Sequence, residues 1–176
     1  MATAQKTQSG ARTAKTKARS GRTRRTGTRD PLAVRLLKQD HRQVEHWFDE
    51  FEQLNKPAEK LELFNRIALA LKVHTQIEEE IFYPESRGEV EDDLLDEAQV
   101  EHDGAKRLIA DIEATQPDDE LYDAKVKVLG EYIKHHVKEE EQPGGVFAQA
   151  KRGDEDLEEM GKRLEQRKQE LMTQMQ

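Results

Sequence analysis

Two His-x-x-x-Glu pairs, His74 with Glu78 and His136 with Glu140, and two further histidines, His41 and His102, are the residues whose types and spacing can do chemistry in this chain. A separation of four puts the histidine and glutamate of each pair one turn apart on one helix face. The set repeats internally: His41 precedes His74 by 33 residues, and His102 precedes His136 by 34. Imidazole nitrogen with carboxylate oxygen is a transition-metal donor set. Two half-sites of this kind offer each of two ions its own histidines, with the glutamates placed to bridge. The sequence has no cysteine, which excludes thiolate nucleophiles, disulfide scaffolds and Cys-based zinc or iron–sulfur sites. His, Asp, Glu and occasionally Tyr remain as ligands.

The elements that must position these residues are all helical. Asn55-Lys56-Pro57, Ser86-Arg87-Gly88, Thr115-Gln116-Pro117-Asp118 and Pro143-Gly144-Gly145 punctuate the pattern, and no strand alternation occurs. They delimit helices over about 31–55, 58–85, 90–115 and 118–142, with a highly charged fifth over about 154–174 after Gly153. Asp30-Pro31 reads as an N-cap followed by proline at the first helical position. Helices of similar length joined by short loops must run antiparallel to their neighbours. The expected fold is therefore all-α: an up-down-up-down four-helix bundle with an extra C-terminal helix. The expected organisation is a basic disordered tail over 1–29, the bundle over 30–150 and the charged helix over 151–176.

Each helix carries an apolar seam, and each seam contains a histidine. The first runs Val34, Leu37, His41, Val44, Phe48, Phe51; the second Leu63, Ile67, Ala70, His74, Glu78, Ile81. The third runs Leu95, Ala98, His102, Ala105, Ile109, Ile112, and the fourth Tyr122, Val126, Leu129, Ile133, His136, Glu140. A lone core histidine is ordinarily a satisfied structural residue. Four of them beside two carboxylates are hard to hold without a cation, because a buried unpaired carboxylate costs several kcal/mol in order of magnitude. Counted from the helix ends, all four lie within a turn or two of one level of the bundle. His135 with Glu139 is an alternative to His136 with Glu140 that fits the 33-residue repeat better. The seam through His135 would contain Lys125, Val128, Tyr132 and Glu139, whereas that through His136 is apolar, which selects His136. His46 falls opposite the first seam and reads as solvated. Glu45, one turn from His41, is a possible extra oxygen ligand, although a surface ion pair is the commoner role for such a residue.

The net charge of −8 conceals two regions: residues 1–29 carry nine basic side chains and no acid, leaving −17 on residues 30–176. The tail is low-complexity Thr, Arg, Lys, Ala, Gly and Ser with nothing to pack, and is expected to be a solvated coil. Its charges could neutralise phosphates non-specifically, giving salt-dependent nucleic-acid binding without base readout. A solubilising tail that folds back on the acidic body is the plainer reading. The longest apolar run, Ile67 to Leu71, is far short of a membrane span, so a soluble, cytoplasmic protein is expected.

Asp40-His41, His74-Thr75-Gln76-Ile77-Glu78 continuing to Ile81-Phe82-Tyr83-Pro84, Glu101-His102, and His135-His136-Val137-Lys138-Glu139-Glu140 together resemble the hemerythrin-like HHE cation-binding family, bacterial type, over about residues 31–150. The resemblance implies a centre of two non-haem iron ions, oxo- or hydroxo-bridged. His41, His74, His102 and His136 would be its nitrogen ligands, and Glu78 and Glu140 its carboxylate ligands. Oxygen-carrying members have a fifth histidine where this chain has Lys106, which argues against reversible oxygen carriage. After Glu140 the chain continues Gln142-Pro143-Gly144-Gly145 where the family usually repeats the Ile81 to Pro84 pattern, so the end of the fourth helix is expected to be altered. Ferritin-like proteins use Glu-x-x-His; the residues three before each histidine are Lys38, Gln43, Leu71, Gln99, Tyr132 and Ile133, which rejects that reading. The expected function is binding or sensing of dioxygen, peroxide, nitric oxide or iron, in keeping with a stress-response role. Turnover of peroxide or another small oxidant ranks second, since no additional acid–base residue is identifiable in the sequence.

Overall fold

The computed structural model describes Met1 and residues 29–175, and the basic segment expected to be disordered falls, but for its two ends, outside the described residues. The helices are α1 (Leu32–Phe51), α2 (Pro57–Ile77), a π-helical turn (Glu78–Phe82), α3 (Tyr83–Ser86), α4 (Asp92–Glu113), α5 (Tyr122–Glu141), α6 (Val146–Ala150) and α7 (Leu157–Gln174). The described residues form no strand, only an isolated bridge between Arg87 and Val90. Nor does any described helix have the length and apolarity to cross a membrane.

The heptad-like seams bury against one another as a bundle. Phe51 at the end of α1 meets Lys60 near the start of α2, while His41, midway along α1, meets His74, late in α2. In the same way Asp111, late in α4, meets Lys125 near the start of α5, while His102 meets His136 further on. Successive long helices therefore run antiparallel. Two apolar clusters fill the interior. One contains Ala33, Val34, Leu37, Phe82, Tyr83 and Phe147; the other contains Val44, Phe48, Phe64, Ile67, Tyr122 and Leu129. The histidine level of the bundle lies between them.

Local details depart from the sequence expectations in instructive ways. Pro31, not Asp30, occupies the cap position of α1, and no side chain caps it. The Asp30 carboxylate instead binds Lys38 and Lys151, each at 2.8 Å, and those two ammonium groups hold its pKa down. The fourth helix starts at Tyr122, after turns over 117–121, and not at 118. Chain reversals after α3 and α5 use Gly88 and Gly144 at positive φ, 87° and 92°. The short α6 was not expected; it buries Val146, Phe147 and Ala150 at the end of the bundle.

The fifth helix docks on the bundle. Asp156 caps α7 by accepting from the Glu158 and Glu159 N–H groups, both at 3.1 Å. The thin stripe of Leu157, Met160, Leu164 and Leu171 is wholly buried and belongs to the same cluster as Ala33, Val34 and Leu37 of α1. Gly161 permits this close crossing: a Cβ there would sit 2.6 Å from the Ala33 backbone nitrogen.

Candidate metal centre

Each long helix brings one imidazole to a common point. His41 Nε2 lies 3.0 Å from His74 Nε2, and His102 Nε2 lies 3.2 Å from His136 Nε2. Glu78 Oε2 lies 3.1 Å from His74 Nε2 and 3.4 Å from His102 Nε2. Glu140 Oε2 lies 3.3 Å from His41 Nε2 and 3.7 Å from His136 Nε2. Six donor atoms thus close a ring of two nitrogen pairs joined by two carboxylates. All six residues are buried, none more than 5% exposed.

A second ring fixes the imidazoles. His41 Nδ1 donates to Glu141 at 2.8 Å, His102 Nδ1 to Glu79 at 3.0 Å, and His136 Nδ1 to Glu101 at 2.8 Å. His74 Nδ1 faces Asp40 at 3.5 Å, too long for a formed hydrogen bond but an attractive contact. Ionised carboxylates only accept, so the ring protons sit on Nδ1 and the Nε2 lone pairs point inward at one another. A carboxylate behind each histidine is the usual support for a metal-ligating imidazole. Both oxygens of Glu78, and Glu140 Oε2, are buried with no hydrogen-bond partner among the described residues. Facing lone pairs and orphaned carboxylate oxygens repel one another unless a cation lies between them, and this donor set fits a pair of transition-metal ions.

A profile of the Hemerythrin HHE cation binding domain matches residues 32–143. The chain belongs to this family. A solved structure of a hemerythrin HHE cation-binding domain-containing protein from Mycobacterium kansasii superposes with a TM-score of 0.67 at 20% identity, covering 81% of this chain and 88% of that one, a likeness of fold. A curated relative from Nostoc sp., named DNA nickase, is 31% identical over 106 residues. Those residues are 60% of this chain, which spans only about 30% of that relative's length.

The electrostatics of this HHE domain express the same demand for positive charge. Burial opposes a proton on His74, but Glu78 and Asp40 outweigh it and push the pKa up to about 10. For His102, burial is outweighed by Glu78 and Glu79, and the pKa rises to about 9. His41 shifts upward too, its burial overcome by Glu140 and Glu141. Glu78, despite complete burial, is held well below the usual carboxylate range by His74 and His102. Protons fill the cluster poorly, since only one proton fits between two Nε2 atoms 3.0 Å apart.

The HHE domain's six expected ligand positions converge. Between the alternatives left by the His135-His136 dipeptide, His136 is in the cluster while His135 is on the surface, its side chain 59% exposed. Glu45 lies away from the ring and pairs with Arg42 at 3.1 Å, and His46 is exposed. Lys106 binds both oxygens of Glu79 at 2.6 Å, so the position of a fifth histidine is used to hold the carboxylate behind His102.

Sequence reasoning missed several contributors. Asp40 and Glu101 precede histidines of one hairpin arm and support those of the other arm, while Glu79 and Glu141 follow the two buried glutamates, Glu78 and Glu140. The repeated Asp/Glu-His and Glu-Glu dipeptides were the available signal: neighbours on a helix point about 100° apart, so the second residue reaches the adjacent helix. The π turn was also missed. Tyr83 N–H bonds to the Glu78 carbonyl five residues back, and the wider turn points Phe82 and Tyr83 inward where the seam expected Ile81, which is only half-buried. The Tyr83 hydroxyl consequently donates to Glu140 Oε1 at 2.8 Å and lies 3.2 Å from His102 Nε2. Burial, then the charges of Glu140 and Glu78, raise its pKa well above the ordinary tyrosine value, so it stays a hydrogen-bond donor. Finally, α7 reaches the centre through Lys168, which pairs with Asp40 behind His74. Arg167 on α7 pairs with Glu80 in the π turn.

Proposed function

We propose that this chain holds two non-haem iron ions, for which His41, His74, His102 and His136 would be the nitrogen ligands and Glu78 and Glu140 the carboxylate ligands, and that it binds or senses dioxygen, peroxide, nitric oxide or iron. The observation that carries this reading is the six-atom ring, in which each carboxylate contacts one histidine of each pair. Histidine-rich ligation suits iron better than magnesium or calcium, and iron held here would supply the redox and small-ligand chemistry. The chain's own residues set the environment. Asp40, Glu79, Glu101 and Glu141 orient the imidazoles, and Tyr83 holds one oxygen of Glu140. A cavity of about 10 Å³ lies beside the four histidines, with Val44, Leu71, Ile133 and Val137 in its wall. Asp40 and Thr75 also line it, and a space of about one water has no room for an organic substrate.

Metal analysis and the visible spectrum of the purified chain test the proposal. Two irons per chain with the absorption of a bridged ferric pair, both diminished in His74→Ala, are expected. One zinc ion per chain, or no retained metal, would overturn it.

Turnover of peroxide is a second reading, favoured by the Tyr83 hydroxyl, a hydrogen-bond donor inside the centre. Peroxide consumption by the iron-loaded chain above that of free iron, and lost in His74→Ala, would support it. Nucleic-acid association is a third, favoured by the nine cations of residues 1–29 and by the name of the Nostoc relative. A gel shift comparing the full chain with one lacking residues 1–29 decides it; equal binding by both would remove the role of the tail.

A further inference from the structure

Three of the four carboxylates behind the histidines are themselves neutralised on the outer side. Glu141 pairs with Arg42, Glu79 with Lys106 and Asp40 with Lys168. Glu101 differs. Its Oε2 accepts from His136 at 2.8 Å, and among the described residues no lysine or arginine pairs with it. Its Oε1 instead faces His135 Nε2 at 3.6 Å, and the same nitrogen lies 3.2 Å from Glu139 Oε1. The internal repeat sharpens the contrast: Glu101 corresponds to Asp40, whose outer oxygen meets the Lys168 ammonium. Where one half of the bundle places a fixed cation, the other places an imidazole and a second carboxylate.

From this juxtaposition we propose that Glu101, His135 and Glu139 form a separate, solvent-facing site for a first-row divalent metal ion. One nitrogen and two carboxylate oxygens, all within 4.8 Å of one another, can surround one ion, with water completing the shell. His135 and Glu139 are four apart on α5 and share a face, while Glu101 reaches across from α4. The nitrogen donor favours zinc, iron or manganese over calcium or magnesium. Because the other oxygen of Glu101 supports His136, an ion bound here touches the same carboxylate that orients a histidine of the buried cluster. The site is independent of which ions fill that cluster.

Equilibrium dialysis of the metal-free full chain against zinc tests the proposal, alongside the His135→Ala/Glu139→Gln double variant and His135→Lys. The lysine variant supplies a fixed cation of the kind the other three carboxylates already have. His135 is exposed and Glu139 half-buried, neither belongs to the apolar core, and both variants are expected to keep the wild-type circular dichroism. At the same free zinc, each should bind one ion fewer per chain than the wild type, and zinc should shift the His135 imidazole resonances of the wild type. Equal ion counts in all three chains, or His135 resonances unmoved by zinc, would overturn the site. Should the double variant retain fewer than two ions while still differing from the wild type by one, the dinuclear reading fails and the surface site stands.

Discussion

Replacing Glu78 by Gln in the metal-free chain removes the attraction that, after burial, contributes most to the His74 shift, and the same carboxylate acts on His102. Both histidines have folded pKa values, about 10 and about 9, above the ordinary 6.5. The folded state therefore binds more protons than the unfolded chain between those limits. The stability this provides is fully present below pH 6.5 and is lost as pH rises through about 9 and then about 10. One such proton changes the unfolding free energy by about 1.4 kcal/mol per pH unit, so the metal-free wild type should lose about 2 kcal/mol or more between pH values of about 7 and about 8.5. In Glu78→Gln the fall should be less than about half as steep, because the main compensation for desolvating two imidazolium groups is gone. Urea unfolding of chelator-treated protein across this range measures both slopes. Once loaded, the chain should show the opposite sign, with metal affinity rising with pH as ions displace protons from the imidazoles. A metal-free wild type of flat stability, or a Glu78→Gln variant that falls equally steeply, would refute the argument that carboxylates drive the histidine shifts.

Other predictions concern the supports of the centre. Gly161→Ala should destabilise by about 1–2 kcal/mol. Helix propensity alone would stabilise by about 1 kcal/mol, but the new Cβ meets the Ala33 backbone at 2.6 Å and forces α1 and α7 apart. A raised melting temperature in Gly161→Ala would show that the crossing is slack. Lys168→Met, one step behind Asp40, should weaken binding of one of two ions by less than about 10-fold, below the usual effect of a direct histidine support. Competition with a chelator measures this, and an equal loss at both ions would argue against a local effect on His74. Removing bound metal should lower stability by about 4 kcal/mol where the free ion stood at a thousand times its dissociation constant, or about 8–16 °C in Tm. Calorimetry with and without chelator checks it; an unchanged transition would mean that the ions do not bind the folded state preferentially.

Much of the site was legible because the signal is local. A seam at helical spacing assigns its members to the interior without reference to any other part of the chain, so His41, His74, His102 and His136 could be placed there from position alone. The choice of His136 over His135 followed from the same rule, since only one of two adjacent residues can share the apolar seam. The π turn escaped because it inserts a residue into a pattern that remains plausible without it: Ile81 and Phe82 are both apolar, and only the packed structure buries the second in preference to the first. Asp30 escaped because its partners, Lys38 and Lys151, come from two elements that meet only after folding.

The sequence by itself determined the helices, their apolar seams and the donor types within them, because periodicity and residue chemistry are written in consecutive positions. The tertiary structure decided which helices are neighbours. That choice sets Glu141 behind His41, 100 residues away, and sends α7 to Asp40 through Lys168. It also gave Glu101 a histidine and a glutamate where its counterpart has a lysine. Such pairings depend on the order and hand in which helices pack, and side chains with no common periodicity leave no trace of that in the chain.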